Sequence, residues 1–145
     1  MLPESTLRQC AQDLYNAEMT QTLIPQLSKS HPDMTLQDAY AVQGFWADLH
    51  TAKGAKVVGR KIGLTSRAMQ MASNFHEPDF GTLLDSMLFA DGATIAAGRF
   101  KKPRLEVELS FVMGEDLSGG NVQIYDVLRA TEFIQPALEI IDYRT

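Results

Sequence analysis

A single cysteine, Cys10, stands among 145 residues, so neither an internal disulfide nor a cysteine-based zinc cage can form. No apolar run approaches the ~20 residues needed to span a bilayer. The N-terminal Met1-Leu2-Pro3-Glu4-Ser5 lacks the basic segment and apolar core of a secretory signal, so no membrane partner and a cytoplasmic location are expected. Positive charge is also scarce. The 13 Lys and Arg against 18 Asp and Glu leave a net charge of -5, and without a basic cluster there is no footprint for nucleic acid. There is no Gly-x-Ser-x-Gly elbow, no phosphate loop and no internal repeat. His31, His50 and His76 stand in no metal or triad spacing.

The composition that remains, 45% hydrophobic and 21% charged, describes a globular chain able to bury a core. Leu7, Cys10, Ala11, Leu14 and Tyr15 repeat at helical spacing, which makes Cys10 a core residue rather than a nucleophile. A polar break at Ser28-Lys29-Ser30-His31-Pro32 follows. Thr35 with Asp38 then forms a capping-box signature ahead of a second apolar stripe through Ala39, Val42, Trp46 and Leu49. Residues 1–55 therefore read as a helical section. From Lys56 the texture changes: Val57–Gly63 reads as a glycine-flanked strand, and Thr65-Ser66 as the cap of a short helix over Arg67–Met71. Glu77-Pro78-Asp79-Phe80-Gly81 reads as a turn, and Leu88-Phe89 and Ala93-Thr94-Ile95 as a hairpin about Asp91-Gly92. After Gly119-Gly120, Val127, Leu128, Thr131 and Ile134 suggest a short helix before the apolar run Pro136–Asp142.

Chemistry is concentrated in the strand Leu105–Met113. Its odd-numbered residues are apolar, whereas Glu106 and Glu108 project together from the other face. Two adjacent like charges repel, and either water or a cation relieves them. On these residues alone a solvated polar face, with Lys101, Lys102 and Arg104 upstream, accounts for the pair. Glu139 lies within the later apolar run, where a buried carboxylate needs a partner or a metal, and is the candidate third oxygen ligand. Lys61 and Asp79 each have a plain alternative as an exposed lysine and a turn residue.

Four ordered segments decide between these readings: Gly59-Arg60-Lys61-Ile62-Gly63-Leu64-Thr65-Ser66, Glu77-Pro78-Asp79-Phe80-Gly81-Thr82-Leu83, Pro103-Arg104-Leu105-Glu106-Val107-Glu108, and Pro136-Ala137-Leu138-Glu139-Ile140-Ile141-Asp142. Together they resemble the hydratase/decarboxylase branch of the fumarylacetoacetate hydrolase superfamily. The resemblance implies an α+β protein in which N-terminal helices precede a mixed β-roll, with residues 56–145 forming the first half of that roll. It implies Glu106, Glu108 and Glu139 as ligands of Mg²⁺ or Mn²⁺, and Lys61 and Asp79 as the polar residues facing the substrate. Arg67 and Arg60 are candidates for a distal carboxylate. The implied substrate is a small 2-oxo or 2-hydroxy-dienoate hydrated by a metal-dependent lyase of aromatic meta-cleavage catabolism that assembles as a higher homo-oligomer. A 4-oxalocrotonate-type decarboxylase is the sister reading. An inactive metal-binding or assembly fragment is the reading from another class, because family members are nearly twice as long and half a roll would leave open edges that associate.

Overall fold

The structure, a computed structural model, describes residues 1–145 and contains five α-helices and four β-strands. Two compact units are present: Met1–Ala97 with Arg144–Thr145, and Gly98–Tyr143. No helix is long and apolar enough to cross a membrane.

The first unit is built on helices α1 (Glu4–Thr20) and α3 (Leu36–Thr51), with a single turn, α2 (Leu27–Ser30), between them. The expected polar break is thus partly helical. Leu7, Cys10 and Ala11 of α1 meet Val42 of α3, and Leu14, Phe45, Trp46 and Leu49 pack around them, following the 3.6-residue periodicity of each helix. Burial pushes the Cys10 thiol above its ordinary pKa, with the charge of Asp13 adding to the effect, as befits an unreactive core residue. Across the helix pair, Glu18 Oε2 accepts the Trp46 indole N–H at 3.1 Å and lies 3.1 Å from His50 Nε2.

The capping box at α3 forms as its sequence signature predicts. Thr35 Oγ1 accepts the Asp38 amide at 3.2 Å, and Asp38 Oδ2 accepts the Thr35 amide at 3.0 Å. Asp38 is only 1% exposed, and its second oxygen accepts the Leu2 amide at 3.2 Å, fastening the N-terminus to α3. The amide of Thr35, then its hydroxyl, the Leu2 amide and the terminal ammonium hold the carboxyl below its ordinary pKa against the opposing effect of burial. A depressed folded-state pKa stabilises the fold above the unfolded carboxylate value of about 3.9, and that contribution disappears as pH falls through the folded value. Asp38→Ala is expected to lower the melting temperature at pH 7 by on the order of 5 °C. The gap from the parent should narrow in melts recorded at progressively lower pH below the ordinary carboxylate value, as the parent's carboxylate is neutralised.

Strand β1 (Val57–Gly63) follows, with the short helix α4 (Arg67–Ala72) capped by Ser66, whose hydroxyl accepts the Met69 amide at 3.2 Å. The expected turn at Glu77–Gly81 is instead the entry to strand β2 (Asp79–Leu84), which pairs antiparallel with β1. Pro78 ends before the ladder begins, so the turn residues set the strand's start rather than a reversal. Helix α3 holds β2 through Gln43, whose side-chain amide donates to the Phe80 carbonyl at 3.1 Å and accepts the Thr82 hydroxyl at 3.2 Å. Tyr40 stacks on Phe80 with ring centroids 4.2 Å apart. The expected hairpin about Asp91-Gly92 does not form. A turn is present, with Gly92 at φ 76° and the Ala93 amide on the Ala90 carbonyl at 3.1 Å, yet its flanks are not strands.

In the second unit, β3 (Arg104–Met113) pairs antiparallel with β4 (Thr131–Ile141), and α5 (Ile124–Ala130) leads into β4. Thr131 and Ile134 lie in the strand, not in the preceding helix as expected, since β-branched residues and aromatic Phe133 favour the extended backbone once pairing with β3 is available. The Asp142 carboxylate accepts the amides of Lys101 at 3.1 Å and Lys102 at 2.8 Å, closing the end of the ribbon. One face of this ribbon is entirely apolar: Leu105, Val107, Leu109 and Phe111 stand opposite Ile140, Leu138, Pro136 and Ile134. That face is not core as its alternation predicts. Val107 is 82% and Leu105 and Leu138 each 68% exposed. A two-stranded ribbon has only one neighbour per strand and cannot cover its own face.

Candidate functional site

The β3–β4 register brings the three glutamates together. Glu106 pairs directly with Glu139, Glu108 pairs with Ala137, and the two β3 glutamates are two residues apart, so all three share the face opposite the apolar one. One carboxylate oxygen from each lies within 4.8 Å of the others. Glu106 and Glu108 are exposed, and Glu139 is half-buried rather than enclosed as its apolar surroundings predict. Like charges placed directly opposite one another destabilise a strand pair, so this register has a cost that a bound cation reverses.

The donor set fits a hard divalent ion. Three carboxylate oxygens within 4.8 Å of one another are near enough to converge on one such ion by side-chain adjustment. Three carboxylates leave further coordination positions for water or an oxygen-rich ligand.

Lys61 and Asp79 belong to the β1–β2 ribbon of the first unit. Lys61 stands opposite Gly81 and Asp79 opposite Gly63, which puts both side chains on one face as diagonal neighbours. Asp79 is exposed and Lys61 half-buried. Arg60 pairs with Thr82 and so projects from the other face, the one to which Gln43 is bound. Its guanidinium donates to the Gly59 carbonyl at 3.1 Å. Arg67 is exposed at the start of α4. Sequence reasoning overlooked Gln43, which a helix-borne polar residue gives no local signal for, and the two glycines facing Lys61 and Asp79, whose spacing resembles ordinary strand-end punctuation.

Comparison with known proteins bears on this arrangement. No family model matches the chain. Over 144 residues it is 47% identical to 2-oxo-hept-4-ene-1,7-dioate hydratase of Escherichia coli, spanning 99% of this chain and 54% of that protein. The chain is thus a homologue of part of a protein named as a hydratase. A second relative, 2-hydroxyhexa-2,4-dienoate hydratase of Comamonas testosteroni, is 42% identical over 92% of this chain and 51% of its own length. Among solved structures, 4-oxalocrotonate decarboxylase from Pseudomonas putida G7, complexed with magnesium and adipate, superposes with a TM-score of 0.93 at 32% identity, covering 99% of this chain and 55% of that one. The same decarboxylase has also been solved with calcium and acetate. The chain thus spans about half the length of the curated relatives it matches. Its similarity to hydratases and to a decarboxylase agrees with the resemblance carried by the four ordered sequence segments, and its α+β content agrees with the expected fold class.

Proposed function

We propose that this chain carries the metal-ligand triad and the substrate-facing ribbon of a divalent-metal-dependent hydro-lyase that adds water to a 2-hydroxy-dienoate or its 2-oxo-4-enoate form. The convergence of Glu106, Glu108 and Glu139 within 4.8 Å on one ribbon face is the observation that carries this reading. Its 47% identity to a hydratase of the seven-carbon diacid favours 2-oxo-hept-4-ene-1,7-dioate as substrate and 4-hydroxy-2-oxoheptanedioate as product, in aromatic meta-cleavage catabolism such as 4-hydroxyphenylacetate degradation. The domain assignment follows: a helical section over residues 1–55 and, over 56–145, the first part of a β-roll of the fumarylacetoacetate hydrolase type.

Glu106, Glu108 and Glu139 hold Mg²⁺ or Mn²⁺ in this reading. When bound, such an ion supplies fixed positive charge for a carboxylate and the neighbouring 2-oxygen of the substrate. Lys61 adds its ammonium beside the oxygen on which enolate charge develops when water adds at C4. Asp79 moves a proton between carbon or water and the dienol. The distal carboxylate of a diacid calls for a cation, for which Arg67 is the better of the two candidates, since Arg60 projects from the ribbon face opposite Lys61 and Asp79. A higher homo-oligomer and a cytoplasmic setting complete the proposal. The exposed apolar face of β3–β4 supports association, since an uncovered patch of that kind marks a contact surface.

The 4-oxalocrotonate decarboxylase likeness, at a TM-score of 0.93, favours a second reading in which the same ligand set stabilises the enolate left by loss of CO₂. Incubation with Mg²⁺ and each purified dienoate separates the two. Loss of dienol absorbance without CO₂ release is the expected result. CO₂ evolution transfers the assignment to the decarboxylase, and an inert chain leaves a metal-binding or assembly piece.

A further inference from the structure

Four residues on the Lys61 face of the β1–β2 ribbon form a square. Lys61 and Gly63 are two apart on β1, Asp79 and Gly81 two apart on β2, and the cross-strand pairs are Lys61 with Gly81 and Gly63 with Asp79. The two chemically active side chains therefore occupy one diagonal and the two glycines the other. Neither glycine is required by the backbone, because positive φ is confined among glycines to Gly54, Gly92 and Gly119. A glycine paired in a ladder, as Gly81 is within β2 and Gly63 at the end of β1, loses more chain entropy on folding than alanine and packs nothing, so each needs another reason.

That reason lies in what a side chain there would meet. A Cβ on Gly81 would fall 2.7 Å from Lys61 Cγ and 3.0 Å from its Cδ. A Cβ on Gly63 would collide with Asp79 Oδ1 and lie 3.3 Å from its Cγ. Lys61 thus crosses the ribbon over the α-carbon of Gly81, and Asp79 crosses in the opposite direction over Gly63. Gly59, on the same face of β1, behaves differently: its nearest neighbour is Leu83 Cδ1 at an ordinary 3.8 Å. The close approaches are specific to the two glycines that face Lys61 and Asp79.

We propose that Gly81 and Gly63 are positioning residues, each leaving the space across which its opposite neighbour, Lys61 or Asp79, lies in its working orientation. The proposal rests on the substrate-facing roles given to Lys61 and Asp79 above. The clash at Gly81 involves the stem of Lys61, not its flexible end, so alanine there forces a different rotamer and swings the ammonium away. The metal ligands are on another ribbon, β3–β4.

Steady-state kinetics on Gly81→Ala, Gly63→Ala and Gly59→Ala in this chain, with Mn²⁺ and the dienoate that the parent turns over, test the proposal. Gly81→Ala and Gly63→Ala are expected to lose at least ~10-fold in kcat with unchanged Mn²⁺ affinity, and Gly59→Ala to match the parent. Introduced into Lys61→Ala, Gly81→Ala is expected to cost nothing further, because its effect passes through a side chain already removed. Full activity in Gly81→Ala, or an equal loss with and without Lys61, overturns the proposal. Placement is read independently of turnover and of any variant's folding: nuclear Overhauser contacts between the Gly81 Hα and the Lys61 γ and δ methylenes are expected in the parent, and their absence overturns it. A parent with those contacts but no turnover on any dienoate removes the functional reading, and with it the working role of the two glycines, while leaving the packing intact.

Discussion

Glu106→Gln and Glu139→Gln are expected to abolish metal-dependent turnover while raising, not lowering, the stability of the metal-free chain. The two residues are direct cross-strand partners, and the third carboxylate of the cluster lies on the same face. Neutralising either member relieves a like-charge pair, which is destabilising when directly opposed in an antiparallel ladder. The same change removes one of three anionic ligands, for which the loss in ion affinity is expected to exceed the roughly 10–100-fold typical of disturbing a residue that merely supports a ligand. Thermal melts with and without Mn²⁺ expose both effects. In the parent, Mn²⁺ at about 100 times its dissociation constant adds about 2.7 kcal/mol. In either variant that increment disappears and the metal-free transition moves upward. A variant that keeps both the Mn²⁺-induced shift and its turnover refutes the ligand assignment. One that is destabilised without metal refutes the account of the glutamates as mutually repelling.

Lys61→Met is expected to separate catalysis from metal binding. The substitution keeps an unbranched, apolar stem of similar length and removes only the ammonium, so the β1–β2 ladder and the packing over Gly81 survive. Loss of a preorganised charge next to a developing oxyanion costs about 10²–10³-fold in kcat. Because the three glutamates are on the β3–β4 ribbon, Mn²⁺ affinity by calorimetry and the Mn²⁺-induced thermal shift should match the parent. Unchanged kcat in Lys61→Met would remove this residue from the chemistry. A parallel loss of Mn²⁺ affinity would mean that it acts through the metal ligands rather than on substrate.

Much of this protein is written locally. The α1 stripe through Leu7, Cys10 and Ala11 and the Thr35–Asp38 box are short-range signals in which spacing along the chain alone decides which side chains meet. The same holds for β3, where strict alternation puts Glu106 and Glu108 on one face whatever the partner strand. Strand β2 was harder to foresee. Pro78, Asp79 and Gly81 signal a turn, and what holds this stretch extended is pairing with β1 and the grip of Gln43 and Tyr40 from α3, none of it nearby in sequence. The reverse error at Asp91-Gly92 has the same origin: a valid turn makes a hairpin only if its flanks find each other, and two or three residues on either side supply too few ladder bonds.

Residue type and spacing alone thus established the helical N-terminal section and the two-faced character of β3, with Glu106 and Glu108 together on one face, because helical and strand periodicities are properties of the local backbone. Only the tertiary structure placed Glu139 opposite Glu106 rather than a residue earlier or later, where a slip of one would have turned it to the apolar face. It alone set Lys61 over Gly81 and Asp79 over Gly63, and left Val107 and Leu138 facing solvent. Register is a relation between two strands, and it depends on pairing energies summed over residues far apart in the chain, which no single stretch of sequence contains.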